Sequence, residues 1–390
     1  MRVLAVGNMY PPHHFGGYEL VWRSAMEHLR EAGHGVRVLT TDLRTDSALP
    51  DDPGVHRELR WYWRDHGFPR RRLRATLALE RHDQAMLARH LDEFEPHVVS
   101  WWAMGGMPLS LLEAVRRRGL PAVGFVHDDW LHYGPHVDGW LRRFVGRKAV
   151  AAPLAERAFG LPARIDLPAA ARYVFVSEST RRRAGAAGVG GAVSHSGIHP
   201  AFLAGAPERE WAWRLLYVGR LDPRKGVDTA IEALVLLPAD ATLAVVGGWD
   251  EREAARLRAL AARVGVGARV HFRGQRGRAE LLAAYAEADA VVFPVRWEEP
   301  WGLVPLEAMG MGRPVVATGR GGSAEYLRDG ENALLFEAGD GGALAAALNR
   351  LAGSRELRRR LREAGRETAA RHTEAHFNAE VVRHLTERMR

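Results

Sequence analysis

The chain has 390 residues, too many for one ordinary core and enough for two domains of common size. Apolar residues make up 47% and charged residues 26%, which excludes a disordered chain, and the lack of cysteine excludes disulfides, thiolate metal sites and cysteine nucleophiles. The net charge of +8 rests on 55 basic residues of which only Lys148 and Lys225 are lysine, so it reflects an arginine-rich coding bias as much as any partner. Arginine runs at 70–72, 116–118 and 181–183 read as solvated helix surface, with an anionic partner as the alternative. No run of about 18 apolar residues predicts a membrane-spanning helix. The first ten residues read as a buried strand and not as a leader, so the expected location is cytoplasmic.

Short apolar runs alternate with amphipathic stretches along the whole chain, the pattern of parallel sheets covered by helices. Strands are predicted at 3–6, 36–39, 98–100, 122–126 and 173–176, with helices at about 17–32, 70–94 and 108–118. After a Gly- and Pro-rich stretch at 197–207, strands follow at 215–218, 242–246, 270–273, 290–294, 315–318 and 333–336. The tail is helical, ending in an amphipathic piece near 374–388. The expected organisation is an N-terminal domain over 1–197, a linker over 198–211, a second domain over 212–372, and a last helix over 373–390 that returns to the first. Both domains read as doubly wound α/β sheets facing a shared cleft, and ligands of such sheets bind beyond the carboxyl ends of the strands.

Two segments after predicted strands carry the chemistry. The first is Glu299-Pro300-Trp301-Gly302-Leu303-Val304-Pro305-Leu306-Glu307. Pro305 suits the first turn of a helix, and Gly310 and Gly312 suit its end. The free N–H groups around Leu303 and Val304 would then face an anion such as pyrophosphate. Glu299 and Glu307 bracket that site, and carboxylates accept paired hydrogen bonds from vicinal hydroxyls. A dipole-stabilising Glu307 and an exposed loop acid at 299 are the bland alternatives. The second segment is Tyr217-Val218-Gly219-Arg220 through Lys225-Gly226, which brings two cations to a strand end. Surface pairing with Asp222 or Asp228 is the bland alternative, but a retained lysine among so many arginines favours a compact point charge. Glu299 and Lys225 are both expected on exposed loops.

These motifs resemble the donor domain of retaining glycosyltransferases of family four, which have the GT-B fold. The resemblance extends to Gly312-Arg313-Pro314-Val315-Val316-Ala317-Thr318, Gly321-Gly322 and Asp329-Gly330, and in the first half to Gly16-Gly17, Val126-His127-Asp128 and Phe175-Val176-Ser177-Glu178. It implies a nucleotide sugar as co-substrate, with no resident cofactor. Glu299 would hold the transferred sugar and Glu307 the ribose, while Arg220 and Lys225 would bind the leaving diphosphate. Gly302, Leu303 and Val304 would meet the donor, and main chain at Arg273, Gly274 and Gln275 would contact the base. Gly16 and Gly17 would approach the phosphate, and His127 the reacting carbon. Two departures stand out: Pro300 replaces the family's glycine, and Ser196-Gly197-Ile198-His199 replaces Asn-Gly-Val-Asp at the hinge, where Ser196 can still cap a turn.

The implied reaction is metal-independent transfer of a hexose, by default from UDP, with retention of configuration. No Asp-x-Asp occurs, and no metal site is expected. The acceptor pocket is expected in loops of the first half rich in His and aromatic residues: His13, His14 and Phe15, Trp61 and Trp63, His66, Trp102, Asp128, Trp130 and Tyr133. Stacking rings with polar rims suit a small hydroxyl-rich acceptor. Basic amphipathic stretches at 70–91 and 141–148 favour instead a lipid-linked or polysaccharide acceptor at a membrane surface. A nucleotide-sugar epimerase and a basic nucleic-acid-binding protein are the remaining rivals; the second lacks any recognisable reading element.

Overall fold

The computed structural model describes residues 1–389 apart from 46, 48, 64–66 and 249. The chain divides into two compact units. One comprises Met1–His195 with the chain from Phe377 onward, and the other Ser196–His376.

The first unit is built on a seven-stranded, all-parallel sheet. Its strands are β1 (Arg2–Gly7), β2 (Gly35–Thr41), β3 (Val55–Leu59), β4 (Val98–Trp101), β5 (Ala122–Val126), β6 (Arg172–Phe175) and β7 (Gly191–Val193), in the order β3-β2-β1-β4-β5-β6-β7. The second unit holds β8 (Arg214–Val218), β9 (Thr242–Val246), β10 (Val270–Gly274), β11 (Ala290–Phe293), β12 (Val315–Ala317) and β13 (Leu334–Leu335), parallel throughout and ordered β10-β9-β8-β11-β12-β13. Both orders reverse direction once, beside β1 and β4 in one sheet and beside β8 and β11 in the other. Such a reversal opens a crevice at the carboxyl ends of the two central strands.

Central strands are apolar on both faces because helices cover both, and β4, β5 and β11 are buried along their whole length. The two strands that the periodicity misses, β3 and β7, are edge strands. With one neighbour each they tolerate polar residues, and β3 reads Val-His-Arg-Glu-Leu, half-buried. The first helix covers Tyr18–Glu31, and the long helix starts at Leu73 because the Arg72 backbone before it is extended. Two of the three arginine runs are largely neutralised in place: Arg116 and Arg117 pair with Glu113, Arg118 with Asp92, Arg181 with Glu178, and Arg183 with Asp129.

The Gly- and Pro-rich stretch is folded onto the second unit. It forms a short 3-10 turn, Pro200–Ala204, buries Phe202, and lets Gly310 pack against the Phe202 carbonyl. His199, not Ser196, caps that turn, its Nδ1 accepting from the Ala201 N–H at 3.1 Å.

Candidate active site

In the second unit the loops after β8 and β11 are fastened along their backbones. The Arg296 N–H donates to the Arg224 carbonyl at 2.8 Å. Gly226, with φ of +70°, lies so close to Pro294 that a methyl group there would overlap its carbonyl oxygen. A third loop closes on the other side: the Gly322 N–H donates to the Glu299 carbonyl at 2.7 Å, and a methyl at Gly321 (φ +65°) would overlap the Glu299 main chain. The result is a fixed ion pair. Lys225 Nζ lies 2.6 Å from Glu299 Oε2, with side chains 13% and 12% exposed. The same oxygen accepts from Trp297 Nε1 at 2.7 Å, and the Arg224 guanidinium stacks 4.5 Å from the Trp297 ring. The expectation of exposed loop residues is therefore corrected: both are recessed, because each is the other's counter-ion.

Three residues after Glu299, Gly302 (φ +89°) turns the chain into the helix Leu303–Gly310, and its carbonyl accepts from the Tyr326 hydroxyl. Trp301 is buried beside Tyr326 and His372, its indole donating to the Ser196 carbonyl at 2.8 Å. Glu307 is half-buried and its Oε2 accepts from the Tyr285 hydroxyl at 2.7 Å; loss of hydration pushes its pKa up to about 7, against some relief from that hydroxyl. Arg220 is half-buried after β8, with its carbonyl held by the Tyr217 hydroxyl at 2.8 Å. At the end of β10 the Arg273 side chain pairs with Glu287, the Gly274 carbonyl accepts from Gly247, and Gln275 follows, so this segment offers main chain. Trp297, Tyr285 and Tyr326 were not anticipated. Trp297 had a signal, lying two residues from Glu299; Tyr285 and Tyr326 are brought in only by tertiary packing.

In the first unit, Gly16 and Gly17 enter the helix Tyr18–Glu31, and a methyl at Gly16 would crowd the Glu19 carboxylate at 2.9 Å. Tyr18 lies tilted 5.5 Å from His127, which also stacks on Trp102 and meets Phe377 edge-on. In that aromatic surround, burial lowers the His127 pKa to about 4, so the ring is neutral near pH 7. Asp128 accepts from the Tyr133 hydroxyl at 3.2 Å, and burial together with the Asp129 charge raises its pKa to about 7. Gly16, Tyr18, His127, Asp128 and Tyr133 thus gather at the carboxyl side of β1 and β5.

Three of the residues assigned to the acceptor are not in open loops. Trp102 and Trp130 are fully buried core residues, one stacked 4.8 Å from Phe125 and the other packed with Tyr173. His13 is buried too, its Nδ1 accepting from the Thr45 N–H at 3.1 Å while the Arg44 guanidinium lies 3.0 Å from its Nε2, so it anchors a loop. His14 is half-buried and bonds the Gly16 carbonyl at 2.9 Å, fixing the glycine turn. Trp61 and Trp63 stack at 5.3 Å, with Phe15 6.2 Å from Trp61. His66 lies outside the described residues.

Among the described residues one cluster brings three potential metal-ligating atoms within 4.8 Å, those of His56, Glu58 and His90. Arginine only donates, so the Arg37 contact at 3.2 Å makes His90 Nδ1 an acceptor and leaves Nε2–H to donate to Glu58 at 2.8 Å. With Arg89 also on Glu58, the cluster satisfies itself as a charged network.

Residues 205–368 match the model of glycosyl transferases group 1, and residues 15–202 match that of glycosyltransferase family 4. The chain belongs to glycosyltransferase family 4. Within the family it is 39% identical over 155 residues to a lipopolysaccharide core biosynthesis glycosyltransferase of Rhizobium meliloti, a match covering 40% of this chain and 44% of that one. It is 35% identical over 196 residues to a phosphatidyl-myo-inositol mannosyltransferase of Mycobacterium leprae (48% and 51% covered), and 37% identical over 147 to a D-inositol 3-phosphate glycosyltransferase of Acidothermus cellulolyticus (35% and 33%). The chain spans about half or less of the length of these relatives. Among solved structures, sucrose-phosphate synthase of Thermosynechococcus elongatus superposes with a TM-score of 0.74 at 20% identity over 98% of each chain. HepE of Anabaena, in complex with UDP-glucose, gives 0.71 at 20% over 99% of this chain and 100% of that one. Both establish the GT-B architecture of this family 4 member.

Two outcomes follow for the candidate site. Gly321→Ala should cost roughly 1–3 kcal/mol through its positive φ and its overlap with Glu299, seen as a lower Tm; an unchanged Tm would show that this contact does not brace the loop. Glu307 has a native pKa of about 7 against 4.5 for a freely hydrated glutamate carboxyl, so the unfolded chain ionises first and this group's contribution to stability is lost as pH rises from 4.5 to 7. Glu307→Gln should therefore gain on wild type in Tm at pH 8 relative to pH 5, and an equal difference at both pH values would contradict the assignment.

Proposed function

We propose that the chain transfers a hexose from a nucleoside-diphosphate sugar, by default UDP-linked, to a hydroxyl of a small polyhydroxylated acceptor, with retention of configuration and without a metal. The observation that carries the donor half is the recessed Lys225–Glu299 pair beside the N-terminus of the helix Leu303–Gly310. In the reaction the bond between the anomeric carbon and the diphosphate oxygen breaks, a bond to the acceptor oxygen forms, and the acceptor hydroxyl passes its proton to the leaving diphosphate. Negative charge develops on the leaving diphosphate, where Arg220, Lys225 and the N–H groups of Leu303 and Val304 would meet it. Glu299 would hold sugar hydroxyls while orienting the Lys225 ammonium, and Glu307 would take the ribose hydroxyls. His127, neutral near pH 7, would offer the sugar a polar contact without adding charge.

The HepE complexes with UDP and UDP-glucose support the choice of donor, and the relative named for D-inositol 3-phosphate supports a cyclitol-like acceptor. A second reading places the acceptor in a membrane. It is favoured by relatives named for phosphatidyl-myo-inositol and lipopolysaccharide, and by Val150 and Leu154, 86% and 72% exposed next to Arg147 and Lys148. No helix among the described residues is long and apolar enough to cross a membrane.

Mass spectrometry on a matrix of UDP-, GDP- and ADP-sugars against cyclitols, saccharides and lipid carriers tests both readings. The expected result is transfer from a UDP-hexose to a free polyol, undiminished by EDTA, with Lys225→Ala slowing turnover about 10²–10³-fold. Transfer confined to lipid-linked acceptors, with the protein floating on anionic liposomes, would establish the second reading. Activity abolished by EDTA and restored by Mg²⁺ would overturn the metal-free mechanism.

A further inference from the structure

The amino-terminal edge of the second sheet carries a concentration of positive charge that its own acids do not balance. A cavity opens there, bounded by Arg313 and Pro314 just before β12, Asp289 just before β11, Trp211 ahead of β8, and Arg358 and Arg362 from the helix Arg355–Ala370. It lies at the opposite end of the strands from the Lys225 and Glu299 loops, which follow the carboxyl ends of β8 and β11.

The acids at this cavity are already committed. Asp289 accepts from the Arg214 guanidinium with both oxygens, and Oδ2 also takes the N–H groups of Ala212 and Arg214. Glu208 is 45% exposed and is shared between Arg355 at 3.6 Å and Arg362 at 3.4 Å. Arg313 is 4% exposed, yet its guanidinium bonds only the carbonyls of Tyr285, Ala286 and Pro207, with no ion pair among the described residues. Arg209, at the rim, and Arg358, stacked 5.4 Å from Trp211, also have no ion pair among the described residues.

Buried guanidinium groups are expected to be paired, since an isolated charge taken out of water costs several kcal/mol. Here the opposite holds. Burial and the charge of Arg362 bring the Arg313 pKa down to about 10, and Arg362 itself is lowered by burial and by Arg366, although Glu208 opposes the shift. A separate observation points the same way: Trp211 lines the cavity, and its buried indole N–H has no hydrogen-bond acceptor among the described residues. Indole nitrogen donates and does not accept. The Trp211 N–H, together with the guanidinium hydrogens not spent on the carbonyls that Arg313 and Arg358 already hold, leaves donors that suit an oxyanion.

We propose that this cavity binds a phosphoryl group, held by Arg362, Arg358 and Arg313 with the Trp211 N–H, at a site separate from the nucleotide-sugar site. Planar guanidinium forks match phosphate oxygens two at a time. The group is supplied either by a free phosphate or phosphorylated metabolite or by a phospholipid headgroup.

The test uses the full chain at fixed ionic strength, with inorganic phosphate, a hexose 6-phosphate and phosphatidic acid vesicles as probes and chloride as control. Saturating phosphate should raise Tm by roughly 2–4 °C over chloride, with a saturable calorimetric isotherm. Arg362→Gln and Trp211→Phe should each weaken that binding about tenfold or more while leaving UDP affinity unchanged, and Lys225→Ala should leave phosphate binding intact. Trp211→Phe removes only the N–H donor, so it decides the matter if Arg362→Gln does not fold. The same losses seen with hexose phosphate point to a metabolite, and seen with vesicles alone to a headgroup. No saturable binding to any probe, or binding abolished by Lys225→Ala and untouched by Arg362→Gln, would overturn the proposal.

Discussion

The candidate donor site depends on close approaches between backbones. Gly226 against Pro294 and Gly321 against Glu299 bring three loops from three different strands to distances that no side chain would permit. Lys225 and Glu299 are recessed only because that approach holds them together at 2.6 Å. Taking either charge out of water alone would cost several kcal/mol, so each makes the other's position tolerable. The arrangement is preorganised: the ammonium is aimed before any ligand arrives, and Trp297 fixes the carboxylate oxygen that aims it.

The same trade between burial and charge runs through both units. His127 and Asp128 stand next to one another in the first, and burial pushes their pKa values in opposite directions, to about 4 and about 7. Both shifts disfavour the ionised form, which lowers the charge carried by the two side chains near neutrality. Glu307 in the second unit is shifted the same way as Asp128. By contrast, the arginines that dominate the chain are mostly spent in pairs such as Arg116 with Glu113 and Arg214 with Asp289. Against that background, the acid-poor cluster around Arg313 stands apart.

Much of the fold was legible because central parallel strands must be apolar on both faces. Runs such as Ala290–Phe293 and Ala122–Val126 announce themselves, whereas β3 carries charged residues at a sheet edge and leaves no such trace. The donor motifs were legible because their glycines and acids are local: Lys225-Gly226 and Glu299 through Glu307 each sit within one loop and helix start. Their burial was not, since it comes from loops far apart in sequence. The aromatic residues of the first half misled for a related reason. A tryptophan beside a strand end can line a pocket or fill the core behind it, and Trp102 and Trp130 do the second. Composition gives no means of telling these apart, because the choice lies in which helix packs over the ring.

The central claim is that Lys225 and Glu299 act on the donor as one unit, and a double-mutant cycle on UDP-glucose affinity tests it most directly. Calorimetry on wild type, Lys225→Met, Glu299→Gln and the double variant isolates their coupling. Residues in direct contact couple by about 0.5–3 kcal/mol, and the account predicts a value of at least ~1 kcal/mol, with the double variant binding little worse than either single one. Losses that simply add would contradict it.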